Sequence, residues 1–114
     1  MIIKNADLHR QTVSSPKGGA GEMDKLVLVP DGDNAHVKRM VHLTLKPGCR
    51  MGRHLHEDDS EFYYILSGRG SYDDNGAVSE VNPGDLCVVR PGESHSLANA
   101  GDTDLSVLAL ILPD

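Results

Sequence analysis

Apolar and polar residues alternate along short stretches of this 114-residue chain, and turn residues interrupt the alternation at close intervals. Lys25 to Val29, Val37 to Leu45, Glu61 to Ser67, Ala77 to Val81, Leu86 to Arg90 and Leu105 to Leu112 are rich in Val, Leu, Ile and Tyr. Several carry the period of two that places successive side chains on opposite faces of a strand. Between them lie Pro30-Asp31-Gly32-Asp33-Asn34, Lys46-Pro47-Gly48, Asp73-Asp74-Asn75-Gly76, Asn82-Pro83-Gly84-Asp85, Arg90-Pro91-Gly92 and Asn99-Ala100-Gly101-Asp102, all clusters of turn formers. Asn75-Gly76 predicts a tight hairpin, because both residues tolerate positive φ. No segment has a helical period. Many short strands at this spacing predict an all-β sandwich or barrel.

Gln11 to Asp24 breaks the pattern. Ser14-Ser15-Pro16-Lys17-Gly18-Gly19-Ala20-Gly21 has too little apolar content to pack by itself, so residues 1–24 are expected to form a partly flexible N-terminal arm ahead of a β-domain spanning 25–114. Such an arm is either a plain linker or a segment that orders over a pocket mouth or against a partner subunit.

Length and composition narrow the function classes. A single domain of this size can enclose a core without disulfides. Met1 to Lys4 is too short for a signal peptide or membrane span, and Cys49 and Cys87 fit two free thiols, so a cytoplasmic location is expected. The formal net charge of −6 and the absence of Trp argue against nucleic acid or an anionic membrane as partner. Nine Lys/Arg face five Asp/Glu up to Arg53, and two face twelve from His54 onward; in a fold whose strands interleave, this split need not create two faces.

The candidate chemistry lies in His54-Leu55-His56, Glu61 and His95. On an alternating strand His54 and His56 point the same way and Leu55 points opposite. Three neutral imidazoles and a carboxylate suit Mn, Fe, Co, Ni, Cu or Zn, and the lack of positioned thiolates argues against a structural zinc site. Four ligands leave positions on an octahedral metal open to water, dioxygen or a bidentate substrate.

Gly48, five residues, His54-Leu55-His56, four residues, Glu61, six residues and Gly68 resemble the first motif of the cupin superfamily (48–68). Gly84, a strand ending in Arg90-Pro91-Gly92, two residues, His95, three residues and Asn99 resemble the second (84–99), although Pro91 stands one place later than the family's usual proline. The fifteen residues between Gly68 and Gly84 resemble the spacing of compact microbial single-domain members. The resemblance implies a double-stranded β-helix, or jelly-roll barrel, of two antiparallel sheets. It also implies one divalent transition metal per chain held by His54, His56, Glu61 and His95, and a homodimer.

Other candidates follow from strand parity. Tyr63 shares the face of Glu61 and either offers its hydroxyl to a ligand or packs; Phe62, Tyr64 and Leu66 face away and need a cover, from a second sheet or a partner. Arg39 shares the face of Val41 and Leu43, where its guanidinium needs an anion from the protein or from a substrate. Glu93, near His95, is either a proton shuttle at the rim or a surface turn residue. Arg50 and Arg53 are expected to be solvated, His42 to face outward, and His9 and His36 to take no part. Counting charge, a dication with one carboxylate leaves a locally positive pocket, suited to a small anionic carboxylate or sugar-derived molecule. Three readings remain open: an isomerase, lyase, decarboxylase or dioxygenase; a non-enzymatic sensor or storage module using the same metal; or a purely structural β-sandwich in which the four ligand-type residues fall together by coincidence.

Overall fold

The computed structural model describes residues 1–114. Its order is β1 (His9–Ser14), β2 (Glu22–Val29), β3 (Arg39–Leu45), β4 (His54–His56), β5 (Asp59–Ser67), β6 (Gly70–Asp74), β7 (Ala77–Val81), β8 (Leu86–Val89), β9 (Glu93–Asn99) and β10 (Leu105–Pro113), with 3-10 turns at Asn5–Asp7 and Pro16–Gly18. One antiparallel sheet runs β1-β2-β3-β10-β5-β8 and the other β4-β9-β6-β7. No helix is long and apolar enough to cross a membrane.

Alternation determines which residues meet between the sheets. On β10 Leu105, Val107, Ala109 and Ile111 are buried while Ser106, Leu108 and Leu110 are only partly so. The same parity sends Val41, Leu43 and Leu45 of β3 and Tyr63 and Ile65 of β5 inward, where they join Leu97 and Tyr72 of the second sheet in one core. The expected hairpin forms: Asp74 pairs with Ala77 around Asn75 and Gly76, whose φ angles are 51° and 97°. Asn99 joins turns behind the barrel, its amide donating to the carbonyls of Leu45 and Thr103 at 2.9 and 2.8 Å.

The N-terminal stretch differs from expectation. Residues 11–24 do not stand apart as an arm; β1 pairs with β2 along its whole length, β2 begins at Glu22, and β2 pairs in turn with β3. Pro16 is buried, and the Pro16–Gly18 turn is stitched to the loop before β4: Ala20 and Arg50 exchange two backbone bonds of 2.9 and 2.8 Å, and Gly52 N donates to Pro16 O at 2.9 Å. Glycine makes this approach possible. A Cβ on Gly19 would lie 1.8 Å from Arg50 O, and one on Gly52 would lie 2.0 Å from Lys17 O. Met23 joins the core and Val13 packs against it at the two ends of the segment, and between them backbone contact at glycines holds the turn.

Gly52→Ala should therefore destabilise the fold by about 1–3 kcal/mol, the usual cost of overpacking. Urea unfolding checks this, and an unchanged midpoint would mean that the turn is free to move away.

Candidate metal centre

The two sheets divide the ligand set between them. β4 and β9 pair so that His54 lies directly opposite His95, and His56 follows two residues along on the same face. Glu61 comes from β5 on the facing sheet. One ligand atom from each of these four residues lies within 4.8 Å of the others. His95 Nε2 is 3.0 Å from His54 Nε2 and 3.1 Å from His56 Nε2, and Glu61 Oε1 is 3.2 and 3.3 Å from His95 and His56 Nε2.

The far side of each ring is already engaged. His54 Nδ1 donates to Gly52 O at 2.8 Å, and His56 Nδ1 donates to Asp59 Oδ1 at 2.6 Å. His95 Nδ1 is 2.8 Å from the Tyr72 hydroxyl, which can accept its proton. A carbonyl and a carboxylate only accept, so neutral His54 and His56 must carry their protons on Nδ1 and present bare lone pairs at Nε2. Lone pairs and a carboxylate oxygen then converge on one point, and this spacing requires a cation or a shared proton between them. Ligands about 2.1 Å from a common ion and about 90° apart lie roughly 3.0 Å from one another, close to the spacing found. The donor set fits a divalent transition metal.

Electrostatics agrees with this fit. Burial alone would raise the Glu61 carboxyl, but when His56 and His95 are protonated their hydrogen bonds and charge overcome it and hold the group at about 2. Burial lowers His54, whereas the hydrogen bond to Glu61 raises His56. Asp59 is likewise drawn below the usual carboxylate range, against its burial, by hydrogen bonds from Lys38 and His56; Lys38 Nζ lies 2.8 Å away. A chain from Lys38 through Asp59 to His56 thus orients a ligand from the surface inward.

Above the ligands opens a cavity of about 250 Å³, just below the size typical of drug-sized ligand sites. His54, His56, Glu61, Tyr63, Arg39 and the N-terminal residues Lys17 and Lys25 line it. Tyr63 is 2% exposed, stacks on the His95 ring at 5.0 Å and 12°, and donates to the thioether of Met51 at 3.8 Å. Burial first, and the Glu61 charge second, push its hydroxyl well above the usual phenol value. Arg39 faces the cavity wall, and its anion is a protein carboxylate: Asp31 takes the guanidinium in two bonds of 2.7 and 3.0 Å. Glu93 is not at the cavity. Its carboxylate accepts Arg90 N at 2.8 Å and closes the Arg90-Pro91-Gly92 turn, so the structure corrects the shuttle expectation in favour of a turn residue. His42 bonds Ser106 at 2.6 Å, away from the ligands, and His9, His36, Arg50 and Arg53 are exposed.

Sequence reasoning missed Asp59, Tyr72, Lys17 and Lys25. Parity signalled Asp59, which shares the face of Glu61 two residues on. Tyr72 reaches His95 only through the β6–β9 register, which pairs it with Leu97, a diagonal contact that no local pattern reveals.

Asp59→Ala should weaken metal binding roughly 10- to 100-fold, the usual effect of removing a ligand's support, as read by competition with a chelator. Metal affinity should also fall as pH drops, beginning above the ordinary imidazole value of about 6.5, because His56 holds its proton more tightly than usual and that proton must leave for the metal to bind. Glu61 stays ionised throughout this range. Affinity that is flat from alkaline to mildly acidic pH would contradict histidine ligation.

Comparison with known proteins agrees with the geometry. A family model described as the cupin domain matches residues 41–111. A protein of Thermotoga maritima named oxalate-binding protein is 35% identical over 113 residues, covering 98% of this chain and 93% of that protein. A crystal structure from Thermotoga maritima, described as a predicted oxalate decarboxylase, superposes with a TM-score of 0.93 at 35% identity over 100% of both chains. KdgF from Halomonas sp. shares the fold at a TM-score of 0.71 and 20% identity over 81% of this chain and 79% of that one. With its two motifs on facing sheets and the family model covering most of its strands, this chain belongs to the cupin domain family.

Proposed function

We propose that this cupin binds a small carboxylate, of the size and charge of oxalate, through a divalent metal held by His54, His56, Glu61 and His95. The convergence of these four ligand atoms beneath a small cavity carries the reading. A bound divalent ion would supply Lewis acidity and two or more open positions for a chelating carboxylate. The chain does the rest. Its strands fix the ligand atoms, Gly52, Asp59 and Tyr72 fix the rings, and the stacked Tyr63 and His95 exclude water from one wall. The Thermotoga relative's name supports a carboxylate as the ligand class.

Turnover is a second reading, favoured by Tyr63. Its hydroxyl stays neutral, lines the cavity beside the Glu61 carboxylate and donates to a thioether, a weak acceptor, so a better acceptor in the cavity could take its hydrogen bond or proton. The outer face of the six-stranded sheet bears on assembly: Tyr64, Leu66 and Leu86 are 45, 44 and 57% exposed, and we propose that a second copy of the chain covers them.

Calorimetric titration of metal-loaded protein should show stoichiometric oxalate binding that disappears with the metal and in His95→Ala. Equal affinity for a neutral sugar would overturn the carboxylate reading. Loss of oxalate on incubation, abolished in Tyr63→Phe, would favour turnover, and its persistence would favour binding alone. Light scattering at micromolar concentration should give twice the 12.3 kDa chain mass; one chain mass would remove the dimer.

A further inference from the structure

Three basic side chains line the cavity above the ligand residues, and they are not equivalent. Arg39 is neutralised by Asp31. Lys17 and Lys25 form no ion pair, although the chain as a whole carries a formal charge of −6. Lys25 is the more constrained. It lies on β2 between Met23 and Val27, opposite Leu43 on β3, so parity turns it inward with the core residues. It is half-buried, and burial together with the charges of Arg39 and Lys17 lowers its pKa, while Glu61 opposes them. An ammonium held among apolar neighbours without an anion is costly, and an anion in the cavity would relieve it.

The Pro16–Gly18 turn adds to this wall. Lys17 adopts φ 53° and ψ 33° and Ser15 φ 48° and ψ 58°, left-handed conformations uncommon for side-chain-bearing residues. The backbone bonds of Ala20 and Gly52 hold the turn beside the cavity, which Lys17 helps to line. Both lysines come from residues that precede the matched cupin domain, which starts at residue 41.

We propose that Lys25, flanked by Lys17, recognises the negative charge that a chelated carboxylate ligand turns away from the metal, so that this site selects a dianion over a monoanion of the same shape. The inference rests on the metal-anchored carboxylate reading above and adds a specificity-determining residue to it. A dicarboxylate chelated through one edge would leave its remaining anionic oxygens free, and an ammonium on the cavity wall could donate a charge-assisted hydrogen bond to them.

Oxalate and oxamate separate the two claims, because oxamate keeps the size and planarity of oxalate but replaces one carboxylate with a neutral amide. Calorimetric titration of the metal-loaded native protein should give tighter binding of oxalate than of oxamate. Lys25→Met should weaken oxalate roughly 10- to 100-fold, leave oxamate nearly unchanged and keep the metal stoichiometry of the native protein. Lys25→Arg, which keeps the charge, should restore most of the preference. If Lys25→Met binds one metal per chain and still prefers oxalate by the native ratio, the role of Lys25 is overturned while the carboxylate reading stands. If loaded native protein binds neither anion, the carboxylate reading falls and this inference with it. Should Lys25→Met unfold, Lys25→Gln carries the same comparison with a polar side chain of similar length.

Discussion

His95 Nε2 lies within hydrogen-bonding distance of His54 Nε2, His56 Nε2 and Glu61, with all four ligand atoms inside 4.8 Å, yet the protons of His54 and His56 are committed elsewhere. Acceptors in such proximity repel unless something positive sits among them. The rest of the site serves to maintain this arrangement. Gly52, Asp59 and Tyr72 hold the far sides of the rings, and Lys38 steadies Asp59 from the surface. Because each imidazole is fixed at both ends, the geometry is set before any ion arrives, which favours affinity over adaptability.

The barrel makes this possible by placing the ligands on two sheets. Three come from β4 and β9, whose pairing brings His54 opposite His95, and the carboxylate comes from β5 across the interior. Either sheet alone lacks a complete set. Folding therefore builds the site, and the hydrophobic core formed by β3, β5, β9 and β10 determines how far apart its two halves stand.

Much of this was legible in the sequence. Period-two alternation gave the inward faces of β3 and β5 and put Tyr63 beside Glu61 and Arg39 beside Val41, and the turn chemistry of Asn75-Gly76 placed the hairpin. The N-terminal hairpin was not legible, because Pro16–Gly18 packs by close backbone approach at Gly19 and Gly52 and leaves no apolar periodicity to read. Tyr72 was hidden for another reason: its contact with His95 exists only once the register of β6 on β9 is known. Arg39 was correctly given an anionic partner, but the identity of Asp31 depended on how the Pro30 to Asn34 turn folds back over β3. What stays local is readable, and what depends on register or on backbone approach is not.

Two lysines without an ion pair line the cavity of this acidic chain. The central proposal is that the histidine and carboxylate acceptors hold a cation, and elemental analysis of the protein isolated without added metal tests it most directly. The account predicts close to one divalent transition metal per chain, removed by a strong chelator and absent from a His54→Ala, His95→Ala double variant. Native protein that carries no metal and takes up none from an equimolar solution would contradict it.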